Sequence, residues 1–205
     1  AIPGTVTKNM VVKSVNLGLK NYNIVEELNK KINIQIKIKN DAKAAALAEN
    51  KYGCLKNYNR SLFLTLGTGI GGAVIINNKL LDTGELPGLE IGHMVIDKNG
   101  IKCNCGRKGC FERYASMKAF KNNLRESLGY SQNVSGKELL SIINNTNKND
   151  ENYKKIEKVK REYIENLALG IANLVNIFEP EAIGIGGSFV YFSEVLLEDL
   201  KREIL

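Results

Sequence analysis

The sequence predicts an α/β fold for these 205 residues. Three observations carry it. Apolar and β-branched runs at 61–66, 73–76 and 182–185 read as strands. An alanine-rich segment at 41–50 and an apolar stripe stepping by three or four through 156–178 read as helices. The two kinds of segment are interleaved along a chain that is 43% hydrophobic, enough to bury the core of one domain, or of one and a part.

Ala1 to Val6 reads as the edge of a strand and its turn. Asp41 to Asn50 has strong helix propensity, and its small face suits close packing on a neighbour. Ser61–Leu66 and Ala73–Ile76 follow as strands, joined by a glycine-rich hairpin turn at Gly67–Gly72, and Asn77-Asn78 turn into a third strand at Lys79–Leu81. Ser135-Gly136-Lys137-Glu138 is a capping box opening a helix, and the polar stretch Asn144 to Asn149 is a loop. Ile156, Val159, Tyr163, Leu167, Ile171, Leu174 and Phe178 mark a long amphipathic helix, ended at Glu179 because the residue before a proline disfavours the helical region. A strand at 182–185, the pair Gly186-Gly187 and a capped helix from Ser193 to Leu205 complete the order. There is no initiator Met and no Gly or Pro terminator after the last helix, so the chain reads as a fragment.

The net charge is +7 and the isoelectric point near 9.1. Lys and Arg are spread along helical faces and interleaved with Glu, as in Tyr153 to Lys158, which favours a solvated surface over a nucleic-acid groove. No apolar run reaches membrane-spanning length, and no signal peptide is visible.

Three of the four cysteines crowd into Cys103-Asn104-Cys105-Gly106-Arg107-Lys108-Gly109-Cys110, ten residues after the only histidine, His93. Three thiolates and an imidazole complete the tetrahedral shell of structural zinc, and the two glycines allow the backbone to turn tightly. A disulfide framework or unrelated thiols are the alternatives; a bridge between 103 and 105 strains its loop, and a bridge from either to Cys110 strands the other. Thiolates reserved for metal suit a reducing cytoplasm. The spare thiol, Cys54, reads as a packing residue.

Gly67, Gly69 and Gly72 formally spell G-x-G-x-x-G, but a β-branched strand follows where a dinucleotide fold needs a helix. The hairpin can still offer backbone N–H groups, with the Thr68 hydroxyl, to phosphate oxygens. Gly186-Gly187 is a second place for backbone to approach a nucleotide. The plainer reading of both is a tight turn.

Together, Asn40-Asp41 before the alanine-rich helix, Leu66-Gly67-Thr68-Gly69-Ile70-Gly71-Gly72, Glu90-Ile91-Gly92-His93, Cys103-x-Cys105-Gly106-x-x-Gly109-Cys110-x-Glu112 and Ile183-Gly184-Ile185-Gly186-Gly187 resemble, in order, the ROK family of repressors, open reading frames and kinases. The resemblance spans nearly the whole chain, and its cysteine motif is the most specific part. It implies an actin-like, ribonuclease-H-like ATPase fold of two lobes around a cleft, and glucokinase-like phosphorylation of a hexose by ATP with magnesium. Residues 1–40 would be the tail of the small lobe and 41–205 the large lobe. The family's opening Asp-Gly-Gly-Thr phosphate motif and its closing segment are absent, so most of the small lobe would be missing and the 205 residues alone inactive.

Phosphoryl transfer needs a carboxylate to take the acceptor's proton, and Asp41 is the candidate base, with a plain helix N-cap as its other reading. Asn40 can donate to and accept from sugar hydroxyls. Glu90 and Glu112 flank the metal ligands, so ordering the metal shell orders both as sugar ligands, although a surface charge is the commonest fate of a Glu. One His93 ring nitrogen on zinc leaves the other for a hydroxyl. Gly67, Thr68, Gly69, Gly71, Gly72, Gly186 and Gly187 are the candidate nucleotide-binding residues.

Two function classes follow. One is an ATP-dependent hexose kinase. The other is the sugar-sensing domain of a ROK-type repressor, which alone of the two would meet nucleic acid. A zinc-stabilised module without catalysis is a third. A homodimer or higher homo-oligomer is expected. Glucose, fructose, mannose and N-acetylmannosamine present adjacent hydroxyls to the same residues.

Overall fold

A computed structural model describes residues 1–14, 17–81 and 89–204. The chain divides into two compact units, one of residues 1–64, 72–90 and 180–184, the other of 65–71, 91–179 and 185–205.

In the first unit β1 (Thr5–Val6), β2 (Val11–Ser14) and β3 (Leu19–Tyr22) form an antiparallel meander, and α1 (Ile24–Asn29) follows, capped by Asn23. α2 (Asp41–Tyr52) lays Ala45 and Ala46 against Leu55, Phe63, Ala73, Ile75, Leu80 and Ala182. Methyl-sized side chains permit that close approach, as the composition of 41–50 predicts. β4 (Arg60–Leu66), β5 (Ile70–Ile76), β6 (Lys79–Leu80) and β7 (Ala182–Gly187) make a second sheet in the order β6-β5-β4-β7. Asn77 and Asn78, with φ of 52° and 61°, supply the two left-handed positions of the β5–β6 hairpin.

The second unit is mainly helical: α3 (Glu112–Ala115), α4 (Met117–Leu128), α5 (Gly136–Asn145), α6 (Glu151–Phe178) and α7 (Ser193–Ile204). The capping box at Ser135 and Glu138 is present. Ile156, Val159, Tyr163, Leu167, Ile171 and Leu174 are buried on one stripe of α6, with Phe120, Leu124, Phe192 and Leu196 also buried in this unit. Phe120 packs against Tyr163 with the rings tilted by 47° at 4.8 Å and meets Phe192 edge-on at 5.7 Å between ring centroids.

Several boundaries shift. α6 begins at Glu151 behind an Asp150 cap, and α5 runs to Asn145, so the loop shrinks to the residues between them. β5 begins at Ile70, which narrows the hairpin turn to Gly67–Gly69 and places Gly71 and Gly72 inside the strand. Gly186 and Gly187 close β7 itself, and a 3-10 turn over Ser188–Phe192 separates them from α7. Ser193 is not a free cap, since its hydroxyl donates to Val190 O, and Leu205 lies outside the described residues. Cys54 is exposed rather than packed inside: it sits in the turn after α2, where its N–H donates to the Glu49 carboxylate at 3.0 Å. α4, to which the sequence pattern assigns nothing, has both end signals: Ser116 accepts from the Ala119 N–H, and Gly129 follows in the left-handed region at φ 71°.

Phe111 is fully buried, and a Cβ on Gly170 of α6 would stand 2.2 Å from its ring. Gly to Ala within a helix ordinarily stabilises by about 0.5–1 kcal/mol. Here overpacking against a fully buried ring, at about 1–3 kcal/mol, outweighs that gain. Gly170→Ala is expected to lower the urea midpoint; a rise would show that the ring has room to move.

Candidate functional site

The cysteine segment folds as a compact loop on the second unit. Phe111 N–H donates to Met94 O at 2.7 Å, Ile96 N–H to Gly109 O at 2.9 Å and Cys103 N–H to Arg107 O at 2.8 Å. Gly109, at φ 73°, would drive a Cβ to 1.6 Å from Asp97 O, so no other residue turns the chain there. Tyr114 braces the loop from α3: its hydroxyl accepts from the Ile101 N–H at 2.7 Å and donates to Asp97 Oδ2 at 3.2 Å. Nothing in the local sequence marks that role, because both partners precede Tyr114 by more than a helical turn.

The turns bring His93, Cys103, Cys105 and Cys110 together, with one ligand atom from each inside a 4.8 Å spread. Cys105 and Cys110 sulfurs are 3.5 Å apart, and Cys103 Sγ is 3.7 Å from His93 Nδ1. Zinc at about 2.3 Å from each sulfur sets tetrahedral S···S edges of about 3.8 Å, so these two edges match the ion and the widest, at up to 4.8 Å, would close by about 1 Å to hold it. A disulfide needs sulfurs about 2.05 Å apart, and all four cysteines are free. The Arg107 N–H, aided by its guanidinium, holds the exposed Cys105 thiol down at about 6, while burial pushes Cys110 up to about 12. One thiolate is thus ready near neutral pH, and a bound cation would favour ionisation of the rest.

Glu112 joins this cluster to the glycine hairpin. Its Oε1 accepts from Cys103 Sγ at 3.4 Å and lies 3.6 Å from His93 Nδ1. Its Oε2 stands 2.6 Å from where a Cβ on Gly69 would be. Gly69 therefore has no side chain because the carboxylate occupies that space. Gly69→Ala is expected to push Glu112 away from Cys103 and His93 and to lower the urea midpoint, because overpacking costs about 1–3 kcal/mol. Glu112→Asp in the same chain draws the carboxylate back and restores part of the loss; urea unfolding measures both, and an unchanged midpoint in Gly69→Ala would refute the link.

The hairpin is fixed from two further sides. Gly67 O accepts the Lys118 N–H at 3.1 Å, and Leu66 O accepts the Ser188 hydroxyl at 3.4 Å. Thr68 is exposed at its tip. Gly67, Thr68 and Ser188 line a cavity of about 560 Å³ with Lys118, Lys121, Asn122 and Arg125 of α4. Nothing in their local sequence gives those four a role. The signal was their spacing, which puts them on one helical face, but it acquires meaning only beside the hairpin.

Asn40, Asp41 and Glu90 belong to the first unit, whereas His93, Glu112 and the Gly67–Gly69 turn belong to the second. Asn40, not Asp41, is the cap of α2: its Oδ1 accepts the Lys43 N–H at 3.1 Å, and its Nδ2 donates to Gly4 O at 3.0 Å. The amide keeps one N–H and one lone pair for another partner. Asp41 is exposed, its Oδ1 accepting the neighbouring Ala42 N–H at 2.9 Å. Glu90 is also exposed.

The fold is that of the actin-like ATPases. The chain aligns with a ROK family glucokinase from Streptomyces griseus, solved in complex with glucose and AMPPNP, at a TM-score of 0.85 over 99% of this chain and 68% of that one, with 24% identity. The sequence matches the ROK family over residues 1–205, and the chain belongs to that family. It is 31% identical to a xylose repressor from Bacillus spizizenii across 99% of its own length and 51% of the repressor's. It is also 31% identical to a glucokinase from Thermotoga maritima across 90% of its length and 60% of the enzyme's. The chain thus spans little more than half of these relatives. Among the described residues no helix is long and apolar enough to cross a membrane.

Proposed function

We propose that this chain is part of an ATP-dependent hexose kinase in which Asp41 is the general base. The observation that carries the reading is the exposed carboxylate of Asp41: Asn40 takes the capping role, which leaves Asp41 Oδ2 open at the start of α2 beside the Oδ1 that accepts the Ala42 N–H. In the reaction the sugar oxygen bonds to the terminal phosphorus of ATP, the bond from that phosphorus to the ADP oxygen breaks, and Asp41 accepts the sugar proton. A positioned base contributes about 10²–10⁴-fold.

Asn40, Glu90, His93 and Glu112 are the sugar ligands in this reading. Zinc held by His93, Cys103, Cys105 and Cys110 is structural, because four protein ligands leave no open position. Nδ1 is the His93 nitrogen turned toward Cys103, which leaves Nε2 for a hydroxyl. Thr68 and Gly69 offer donors to the phosphates of magnesium-bound ATP, while the Gly67 N–H closes the turn by donating to Gly69 O at 3.0 Å; Gly186 and Gly187 are a second backbone approach, and Gly71 and Gly72, inside β5, support the turn. Residues 1–40 belong to a smaller lobe and 41–205 to a larger one. The protein acts in the cytoplasm as a homodimer or higher homo-oligomer.

The similarity to xylose repressors favours a second reading, the sugar-sensing domain of a ROK-type regulator. Sugar-dependent ADP release by the complete protein, measured with magnesium ATP and a panel of hexoses, separates the two. Sugar binding without ADP release defeats the kinase and leaves the sensor.

A further inference from the structure

Cys105 is exposed, whereas Cys103 and Cys110 keep only 2% and 0% of their surface. The exposed sulfur lies 3.5 Å from that of Cys110, while Cys103 Sγ faces His93 Nδ1 at 3.7 Å and Glu112 Oε1 at 3.4 Å. A dissolved oxidant therefore reaches Cys105 first, and Cys110 is the thiol placed behind it. A bridge between the two requires their sulfurs to close to about 2.05 Å. The movement falls on Cys105. Cys110 sits between the fully buried Phe111 and Gly109, whose backbone packs against Asp97 O, whereas Gly106 has open space where a Cβ would stand.

We propose that Cys105 and Cys110 are the site of a peroxide-sensitive switch, in which oxidation joins them in a disulfide, removes two of the four ligands and releases the metal. The inference rests on reading His93, Cys103, Cys105 and Cys110 as a structural zinc site. Zinc has no redox chemistry of its own, so the electrons come from sulfur. First the Cys105 thiolate attacks one oxygen of hydrogen peroxide; the O–O bond breaks, hydroxide leaves, and Cys105 becomes a sulfenic acid. The Cys110 thiolate then attacks the Cys105 sulfur, the S–O bond breaks, and a second hydroxide leaves. Each hydroxide takes a proton from solvent. Two thiolates thus lose two electrons in all, and one peroxide is reduced to two waters. One imidazole and one thiolate remain, too few to complete a tetrahedral shell. Glu112 loosens with them, because its Oε1 rests on Cys103 and lies 3.6 Å from His93 Nδ1. Through the contact of Glu112 with Gly69, the change reaches the glycine hairpin.

The zinc-loaded chain, carrying Cys54→Ser to silence the thiol outside the loop, is treated with hydrogen peroxide while a chromophoric chelator reports free zinc. Trypsin cuts after Lys102, Arg107, Lys108 and Arg113, so the bridge appears as peptide 103–107 joined to peptide 109–113. Release of about one zinc per joined pair is expected, reversed by dithiothreitol with added zinc, and amide exchange across 93–112 should rise with it. Cys103→Ser keeps the joined pair, and Cys105→Ser loses it. Fragmentation of the joined peptides, which needs no substitution, assigns the bridge to 105 rather than 103. Zinc measured before peroxide is added tests the centre by itself: none bound overturns the zinc site and the switch together. Zinc bound and then retained, with the thiols still free, overturns the switch and leaves the zinc site standing. A bridge from Cys103 to Cys110, or oxidation of Cys105 to its sulfinic acid without a bridge, overturns the switch as well.

Discussion

Cys105→Ser is expected to abolish zinc binding at the His93–Cys110 cluster and to loosen the whole of 93–112. The position is informative because Cys105 is exposed whereas Cys103 and Cys110 are buried. Substitution there removes a ligand without opening a cavity, so any loss of stability comes from the metal. Structural zinc contributes apparent values of about 10–16 kcal/mol in small domains, against about 2–4 kcal/mol for a disulfide, so the effect exceeds anything expected from lost packing. Glu112 should come loose as well, since its Oε1 leans on Cys103 and His93. Metal analysis of the purified variant and amide exchange across 93–112 report the outcome. One equivalent of zinc retained, with protection unchanged, would mean that the four residues do not form the centre.

Under the proposed kinase reading, Asp41→Asn in the complete protein is expected to abolish turnover and to leave sugar affinity within about threefold. The amide keeps the shape and can still hydrogen-bond the acceptor hydroxyl, but it cannot take the proton, so kcat falls while binding holds. Stability should barely move. Asn40 carries the cap, and the remaining contribution of a carboxylate at a helix start is about 0.3–1 kcal/mol. Steady-state kinetics alongside calorimetric sugar titration make the comparison. Phosphorylation at more than about a hundredth of the unaltered rate, near the low end of general-base contributions, would remove Asp41 from the mechanism.

The sequence by itself determined whatever neighbouring residues encode. The strand at 60–66, the turn at Asn77-Asn78, the capping box at Ser135 and the stripe of α6 are written in spacings of two to four residues, because backbone hydrogen bonding and side-chain alternation are local. The cluster of candidate metal ligands was legible for a related reason. Cys103, Cys105 and Cys110 share one loop, and the chain holds a single histidine to complete them. α4 could have been read from Ser116 and Gly129 at its ends, whereas α3, only four residues long, has no side-chain cap to announce it. The tertiary structure alone decided which distant residues meet. Glu112 against Gly69, Phe111 against Gly170, Tyr114 under the cysteine loop and the α4 cations at the mouth of the hairpin all join positions far apart in sequence. The same structure gave the cap of α2 to Asn40 and left the Asp41 carboxylate exposed. Such pairings follow from how helices and strands fill space around a core, where packing density and charge are set by all the neighbours at once and no single stretch of sequence records them.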